Sequence, residues 1–505
     1  MTRPIRAARL VIGVILTSAA AAAASAADDP VLAGYQKYYR GDREGARKDL
    51  ERLVAANPAA LPARFALLQV LEEDIGSDPA GQADFERRLD AFVEDATARN
   101  DRSATDDEAL FYLTSAHMLR AAYRFSHGKG MWGAARDGAR SKRLGDAYIA
   151  RHPEHGDAYF ALGTYNYYVE IVPTFARVVR TFLFLPSGNR AEGLRQLERA
   201  YSQGSLFAFQ AGMMLMQIYG SFENRPSDGV AIGERFAREY PDNPDVRLQL
   251  AELYVGPAVE DYAGAASLYE RVLAAEAKRD TPRPLPVVRA QLGLASALQQ
   301  QWKIEDAIKV VSAAIDAKPE KPVWAMPILL LRRANYRALL DDPGAEQDTR
   351  TVLNDPRWKD RHKAADGQLK WMTGRRASGE AAVYAALIRG NRLAAEHRWN
   401  EAAQAYESVR RDHPEDPQAR YRLASMQFAR GDDAGAALAA SGLAADRRAP
   451  GWIRASSLLI VARAHDLAGR RAEAKRTYQK IVDDYERENA AWPARVGLLT
   501  PYRRH

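Results

Sequence analysis

Two histidines in one short stretch are the first residues whose types and spacing could support chemistry. His152 and His155, in RHPEHGD, are close enough in sequence to place two imidazoles near each other. A zinc site needs three or four ligands, and no carboxylate or third histidine stands at a telling spacing nearby. The proline in this stretch is typical of a turn between helices. We therefore interpret the stretch as a solvated turn and expect no metal site.

A glycine-rich stretch has the spacing of a dinucleotide-binding loop. Gly128, Gly130 and Gly133, in HGKGMWG, satisfy G-x-G-x-x-G. A dinucleotide site needs a strand before these glycines, a helix after them and an acidic residue about twenty positions on. The preceding ALFYLTSAHMLRAAYRF has helical spacing instead, so the glycines more simply relax a turn between two helices. We expect no nucleotide and no other cofactor.

The motifs of common hydrolases and nucleotide enzymes are absent from the sequence. The chain has no H-E-x-x-H, no G-x-S-x-G and no phosphate-binding loop with its Lys and Ser or Thr. It also has no cysteine, which excludes disulfides, thiolate metal ligands and cysteine nucleophiles. We therefore predict that the protein is not an enzyme. A catalytic site of an unrecognised type stays open as an alternative.

The first 27 residues are typical of a secretory signal peptide. Arg3, Arg6 and Arg9 form a basic start, an apolar stretch spans 10–17, and an Ala-rich segment ends at 25–27. Small residues at its end suit signal-peptidase cleavage, and the apolar run is short of the roughly 20 residues that a membrane-spanning helix needs. We predict export, which makes the mature chain, from residue 28 onward, periplasmic or secreted.

Charge and composition point away from nucleic acid and towards helices. The formal net charge is +7, and three of these charges lie in the leader, which leaves +4 on the mature chain. So dilute a charge indicates neither nucleic acid nor an acidic membrane surface as a partner. Frequent alanine, with glycine and proline spread along the chain, favours helices joined by short turns. We expect an all-α fold.

Five positions near the C-terminal end recur at a spacing of 34 residues. The pairs are Gly390 and Ala424, Ala402 and Ala436, Tyr406 and Ala440, Val409 and Leu443, and Pro414 and Arg448. Small residues at the first two positions and mostly apolar ones at the next two are what antiparallel helices need where they cross closely. A fixed period of this length indicates stacked helical hairpins, each of which buries its apolar face against its neighbours.

Further copies of this spacing extend over most of the chain. They include Ala295, Ala307, Val311, Ala314 and Pro319, and near the mature N-terminus Gly34, Ala46, Leu50, Leu53 and Pro58. On these residues the sequence resembles the tetratricopeptide repeat family. The resemblance implies a right-handed superhelical solenoid of antiparallel helix hairpins, with the first helix of each hairpin on the concave face.

The repeat copies suggest a domain division. We expect a signal peptide at 1–27, an N-terminal array at 28–355 with an apolar insert at 171–186, a linker or irregular junction at 356–380, a C-terminal array at 381–490 and a basic tail at 491–505. The proposed junction rests on WKDRHKAADGQLKWMTGRRASGE, which is polar and repeats nothing.

The insert is the clearest departure from the repeat. Gly163 would normally meet its small partner twelve residues later, whereas the next suitable residue is Gly193, so eighteen residues are extra. The segment IVPTFARVVRTFLFLP is apolar nearly all round and too short to cross a bilayer. One interpretation is a buried helix of the array. The other is an exposed patch for a partner, a second copy or a membrane, formed by Phe175, Phe182, Leu183 and Phe184.

The resemblance also implies which residues line the groove on the concave face. In this family they are positions two, five, nine, twelve and thirteen of the first helix of each hairpin. The candidate partner-binding residues at these positions are Tyr384, Asn391, Tyr421, Ser425, Phe428 and Arg463, and Asp466 occupies a further one. Tyr, Phe and Arg dominate binding energy at desolvated interfaces, although aromatic residues also pack between hairpins. Leu387 and Tyr421 depart from the Lys and Asn of the family's carboxylate clamp.

These observations together predict a non-catalytic scaffold or adaptor of the cell envelope that binds a protein or peptide in its groove. One alternative is a peripheral membrane or self-associating component that uses the insert 171–186. Another is an envelope enzyme with an unrecognised site.

Overall fold

The structure, a computed structural model, describes residues 29–75, 79–103, 105–171, 186–256, 259–340, 342–377 and 381–504. Within these ranges the chain forms 24 α-helices, one short 3-10 turn and no β-strand. The expected all-α fold of a helical-repeat solenoid is confirmed. Residues 1–27, which we expect to be a signal peptide, lie outside the described residues.

The chain folds as two units. Unit 1 comprises Met1–Leu215 and Glu239–Asn243, and unit 2 comprises Met216–Arg238 and Pro244–His505. The division therefore lies far from the junction expected at 356–380.

The stretch 356–380 contains a 3-10 turn, Pro356–Trp358, followed by the helix Lys359–Ala377. Ala365 and Met372 of that helix are buried against the preceding hairpin. The stretch reads as a linker in the sequence because most of its side chains are polar, yet a few apolar residues are enough to dock it.

Unit 1 is built from eight helices and the first part of a ninth. They are α1 (Pro30–Tyr39), α2 (Arg43–Ala56), α3 (Leu61–Ile75), α4 (Pro79–Arg102), α5 (Asp107–Ser126), α6 (Met131–Arg151), α7 (Ala158–Ile171), α8 (Arg190–Gln203) and α9 (Ala208–Ser221). One of its core clusters is rich in aromatic residues and includes Phe65, Phe92, Phe111 and Phe207.

Unit 2 begins inside α9 and continues through fifteen helices. They are α10 (Pro226–Glu239), α11 (Pro244–Val255), α12 (Tyr262–Glu276), α13 (Pro284–Gln300), α14 (Ile304–Asp316), α15 (Ala325–Leu339), α16 (Gly344–Asn354), α17 (Lys359–Ala377), α18 (Ala381–Ala395), α19 (Trp399–Asp412), α20 (Pro417–Ala429), α21 (Asp433–Ala445), α22 (Gly451–Leu467), α23 (Arg471–Asp484) and α24 (Ala491–Leu499). From α11 onward, each helix except α17 packs on the next one along the chain.

Short polar residues start many of these helices. A side-chain oxygen accepts the backbone N–H of the third helical residue at Asp29, Asp42, Asp106, Asn189, Asp261, Asp416 and Asp432. Each such cap satisfies a backbone donor that has no partner within the helix, and contributes about 1 kcal/mol.

The repeat positions lie where helices cross. Ala402, Ala424, Ala436 and Ala440 are fully buried. At Gly390 an added Cβ would lie only 2.4 Å from the ring of Tyr406, so the glycine makes room for that ring. The spacing of small residues in the sequence therefore reports close helix packing, as predicted.

The hairpin interrupted by the insert pairs as expected. A Cβ added at Gly163 would lie 2.9 Å from the carbonyl oxygen of Gly193, so α7 and α8 cross at these two glycines. The hydroxyl of Tyr165 donates to the carbonyl of Pro186 at 2.7 Å, which ties the end of the insert to α7. Phe175, Phe182, Leu183 and Phe184 lie outside the described residues.

Candidate partner-binding groove

Three helices carry the predicted groove residues: α18, α20 and α22, the first helices of three successive hairpins. The residues after α24, Thr500–Arg504, have no regular secondary structure and lie against α20 and α22. We call them the 500–504 segment. The part of the expected basic tail 491–505 that the structure describes, 491–504, thus consists of α24 and a segment that is docked through specific contacts.

Asp466 organises the end of α22. Its side chain is fully buried, and its carboxylate accepts hydrogen bonds from Arg471 at 2.9 Å, from the hydroxyl of Tyr478 at 3.0 Å and from the backbone N–H of Tyr502 at 2.8 Å. Burial, and then the Asp466 carboxylate, raise the pKa of Tyr478 well above its ordinary value, which keeps the hydroxyl a donor. A buried carboxylate is tolerated here because it is paired with a cation and hydrogen-bonded.

The ring of Tyr502 lies between two groove residues. The guanidinium carbon of Arg463 is 4.6 Å from the centre of this ring, and the centre of the Phe428 ring is 5.9 Å away. A guanidinium over an aromatic face is stabilising by about 0.5–2 kcal/mol, depending on desolvation. Tyr502 therefore contacts both Phe428 and Arg463, two residues that the family resemblance implies for the groove.

Arg504 docks at the end of α20. Its guanidinium donates to the carbonyl of Phe428 at 2.8 Å, pairs with the carboxylate of Asp433 and lies 5.1 Å from the centre of the Phe428 ring. A cation at the C-terminal end of a helix is favourable because the last carbonyls carry partial negative charge. We call the surface formed by Phe428, Asp433, Arg463 and Asp466 the terminal groove.

A cavity of about 340 Å³ within unit 2 adjoins the terminal groove. The cavity is lined by Arg463, Tyr478, Thr500 and Tyr502 and also by Met216, Gln217, Gln249 and Leu253. Trp492 also lines the cavity, and its ring meets that of Phe222 edge-on at 4.8 Å. Apolar walls with a few polar groups and one guanidinium suit a side chain or small group with both kinds of surface.

The other predicted groove residues are placed differently. Tyr421 is half-buried and packs edge-on against Trp452, with 5.7 Å between ring centres. Ser425 is half-buried one turn before Phe428. Asn391 is buried and accepts a hydrogen bond from the Tyr406 hydroxyl, so its side chain is engaged inside the hairpin of α18 and α19. Tyr384 belongs to α18, but its side chain is outside the part of the chain that the structure describes.

The 500–504 segment was not anticipated from the sequence, because it belongs to no repeat copy. The one available signal was chemical: TPYRRH combines an aromatic residue and two arginines, and the groove positions of α22 include an acid.

The sequence likewise did not reveal a buried polar cluster in unit 1. Asp137 lies 2.9 Å from Nδ1 of His117 and accepts hydrogen bonds from Arg120 and Arg124. Burial alone would raise the pKa of Asp137, but the hydrogen bonds from His117 and Arg120 hold it below its usual range. Arg120 also pairs with Asp90 at 2.8 Å, so two acids balance the two arginines, and we interpret the cluster as structural.

The histidine stretch with His152 and His155 and the glycine stretch with Gly128 and Gly130 both form turns between helices. Nε2 of His152 lies 2.6 Å from Asp107, and Nδ1 of His155 lies 2.7 Å from the hydroxyl of Tyr148. Among the described residues no group of His, Cys, Asp and Glu could hold a metal ion. Gly128 and Gly130 have positive φ angles, of 63° and 113°, in the turn between α5 and α6, as the sequence predicted.

Family models described as tetratricopeptide repeat match residues 258–322, 375–451 and 456–486. The matched regions include the helices that form the terminal groove. No curated protein matches the sequence.

Three solved structures are similar to this chain at low identity. A tetratricopeptide repeat protein from Parabacteroides merdae ATCC 43184 is 13% identical, with 58% of this chain and 98% of that chain covered and a TM-score of 0.27. Yeast Tom70 is 12% identical, with coverages of 90% and 92% and a TM-score of 0.33. NprR, solved in complex with its cognate peptide NprX, is 12% identical, with coverages of 57% and 81% and a TM-score of 0.24.

Proposed function

Because this chain belongs to the tetratricopeptide repeat family, we propose that it is a non-catalytic scaffold that binds a protein or peptide partner along the groove of unit 2. Arrays of this kind present extended surfaces for binding, and their repeats supply the fold rather than a reaction. We further propose that it acts in the cell envelope after removal of residues 1–27.

The observation that carries this proposal is the set of contacts in the terminal groove. An extended segment is held there by a buried carboxylate at Asp466, a guanidinium at Arg463 and an aromatic ring at Phe428. Carboxylates that accept backbone N–H groups, together with aromatic and arginine side chains, are the groups that bind extended peptides with useful energy.

A peptide-display library panned against the mature chain tests groove binding. Peptides that bind are then titrated against Ser425→Arg, which places a long charged side chain at a half-buried groove position. Ser441→Arg is the matched control, because Ser441 is exposed on α21, the second helix of the same hairpin. We expect Ser425→Arg to weaken binding at least about tenfold and Ser441→Arg to leave it unchanged. Equal affinities for the two variants would refute binding through the groove.

Cell fractionation tests the proposed location. The full chain should accumulate in the envelope as a shortened form, and a chain that lacks residues 1–27 should stay in the cytoplasm. A full chain that remains in the cytoplasm at its original length would contradict export.

The alternative functions have less support from the described residues. The membrane or self-association role depends on the insert 171–186, most of which lies outside them. No helix in the described ranges has the length and apolar character needed to traverse a bilayer. The enzyme alternative would need a cavity with converging acids or bases. In the cavity of unit 2, Glu252 already pairs with Arg289 at 2.8 Å.

A further inference from the structure

The 500–504 segment makes the contacts that a bound peptide would make. Tyr502 and Arg504 both contact the terminal groove, although Arg504 is itself exposed, and the alternate residues Pro501 and Arg503 are exposed as well. This alternation is the pattern of an extended chain lying on a surface, where every second side chain enters a site. The segment therefore resembles a ligand more than a continuation of the repeat.

Each inward-facing residue is recognised through a separate chemical group. The backbone N–H of Tyr502 reaches the buried carboxylate of Asp466, and its ring lies against Arg463 and Phe428. The guanidinium of Arg504 meets the Phe428 carbonyl and the Asp433 carboxylate. An occupant of this groove must therefore offer an aromatic ring and, two residues later, a guanidinium.

The segment is held weakly enough to exchange. Pro501, Arg503 and Arg504 are exposed and Tyr502 is only half-buried, so few apolar contacts oppose its release. Segments with few buried contacts open at a low free-energy cost. A tethered segment competes at an effective concentration of about millimolar, so it lowers the apparent affinity of a partner for the groove without preventing binding.

Space for a longer occupant lies beside the segment. The cavity of about 340 Å³ is lined by Thr500 and Tyr502 of the segment and also by Met216 and Leu253. A partner peptide that replaced the segment could place an additional side chain there and so gain contacts that the segment lacks.

We propose that the 500–504 segment occupies a peptide-binding subsite, and that the partner displaces it with an extended peptide bearing an aromatic residue followed two positions later by an arginine. This inference rests on the proposed function. It specifies the chemistry of the partner peptide, and it assigns the 500–504 segment the role of covering the groove and competing with that peptide. A second copy of this chain could supply the same residues, and the experiments below distinguish that case.

The first test uses the octapeptide LLTPYRRH, residues 498–505, with a fluorescent label, and measures its anisotropy with the mature chain. In the chain, Arg504→Ala removes a groove contact of the segment, and Arg503→Ala removes the same charge from an exposed neighbour. We expect the Arg504→Ala chain to bind the octapeptide about tenfold more tightly than the Arg503→Ala chain, since the competing segment is loosened. Equal affinity for the two chains would overturn the proposal.

The second test changes the peptide and leaves the Arg504→Ala chain constant, so protein folding does not enter the comparison. Octapeptides with Tyr502→Ala or Arg504→Ala should lose at least about tenfold in affinity, and one with Arg503→Ala should keep it. An equal loss of affinity for the Arg504→Ala and Arg503→Ala octapeptides would show that only the net charge of the peptide matters, and would overturn the proposal. If the Arg504→Ala exchange lowers the urea midpoint of the chain, added octapeptide should raise that midpoint again. A midpoint that the octapeptide leaves unchanged would also overturn the proposal.

Analytical ultracentrifugation distinguishes a second copy of this chain from a partner peptide as the occupant of the groove. A parent chain that dimerises, and whose dimer the octapeptide disperses, would identify a second copy as the occupant and overturn a partner peptide. Library peptides that Ser425→Arg blocks, but whose affinity Arg504→Ala leaves unchanged, would overturn this inference while the proposed function stands.

Discussion

Tyr502 donates its backbone N–H to Oδ2 of Asp466 at 2.8 Å, although 36 positions separate the two residues in sequence. The same carboxylate holds Arg471 and Tyr478, so one buried acid joins α22, α23 and the residues after α24. Asp466 thus links the end of the repeat array to the segment that covers its groove.

We expect Asp466→Asn to destabilise unit 2 by about 2–4 kcal/mol, because it leaves the Arg471 cation without its buried partner. Urea unfolding, followed by circular dichroism, measures the change. Asp484→Asn is the control, since Asp484 forms an exposed pair with Lys480 at 3.1 Å and should contribute less than about 0.5 kcal/mol. Similar losses for both exchanges would contradict the organising role of Asp466.

Gly390→Ala and Gly442→Ala make the same chemical change with opposite expected results. At Gly390 the new Cβ would lie 2.4 Å from the Tyr406 ring, and we expect a loss of about 1–3 kcal/mol from overpacking. At Gly442, inside α21, a Cβ would meet nothing within 4 Å, and we expect a gain of about 0.5–1 kcal/mol in helix propensity. Thermal unfolding of both variants gives the comparison, and a stabilising Gly390→Ala would disprove the close crossing.

Unit 1 should lose stability on mild acidification through His117. Burial lowers the pKa of His117, and its hydrogen bond to Asp137 only partly offsets this effect. Below the unfolded-state pKa of about 6.5, the unfolded chain therefore binds more protons than the folded chain, and stability falls as pH decreases. The stability that Asp137 contributes, with its lowered pKa, is lost only at more acidic pH.

Replacing His117 by Gln, which can still hydrogen-bond to Asp137, should reduce this pH dependence. The unfolding free energy of the parent, measured from pH 7 to pH 5, should have a slope larger by up to about 1.4 kcal/mol per pH unit. Identical slopes for the parent and His117→Gln would show that this histidine does not carry the effect.

The insert is tested by the double exchange Phe182→Ser and Phe184→Ser. Its apolar residues lie nearly all round the predicted helix, which favours burial, so we expect a lower thermal midpoint for unit 1. Phe125→Ser is the control, because Phe125 on α5 is 70% exposed. An unchanged midpoint combined with lost dimerisation or lost binding to lipid vesicles would instead favour the exposed-patch alternative.

The repeat architecture could be predicted because small residues recur at a fixed spacing along the sequence. Ala402 and Ala436, 34 residues apart, are both fully buried at helix crossings, and Gly163 pairs with Gly193 despite the intervening insert. The terminal groove could be predicted only in part. The family resemblance implied Phe428 and Arg463 as groove residues, and their role in binding a partner stays a prediction, whereas Asn391, at another such position, hydrogen-bonds to Tyr406 inside its hairpin. Position in the repeat sets the helix face, but side-chain hydrogen bonding decides whether a residue on its border points outward.

The domain division was harder to read, because a polar stretch can be either a linker or an exposed helix. Within the described part of this stretch, Lys359–Ala377 is an exposed helix, which Ala365 and Met372 dock against the preceding hairpin.

The sequence by itself determined that this protein is an all-α repeat solenoid, because small residues at a 34-residue period allow antiparallel helices to cross closely and disfavour other packings. Only the tertiary structure decided what lies in the groove. Arg504 contacts Phe428 across 76 residues and Tyr502 contacts Asp466 across 36, and no periodic pattern encodes such contacts. They arise because docking brings an extended segment to an acidic and aromatic surface that the repeats had already built.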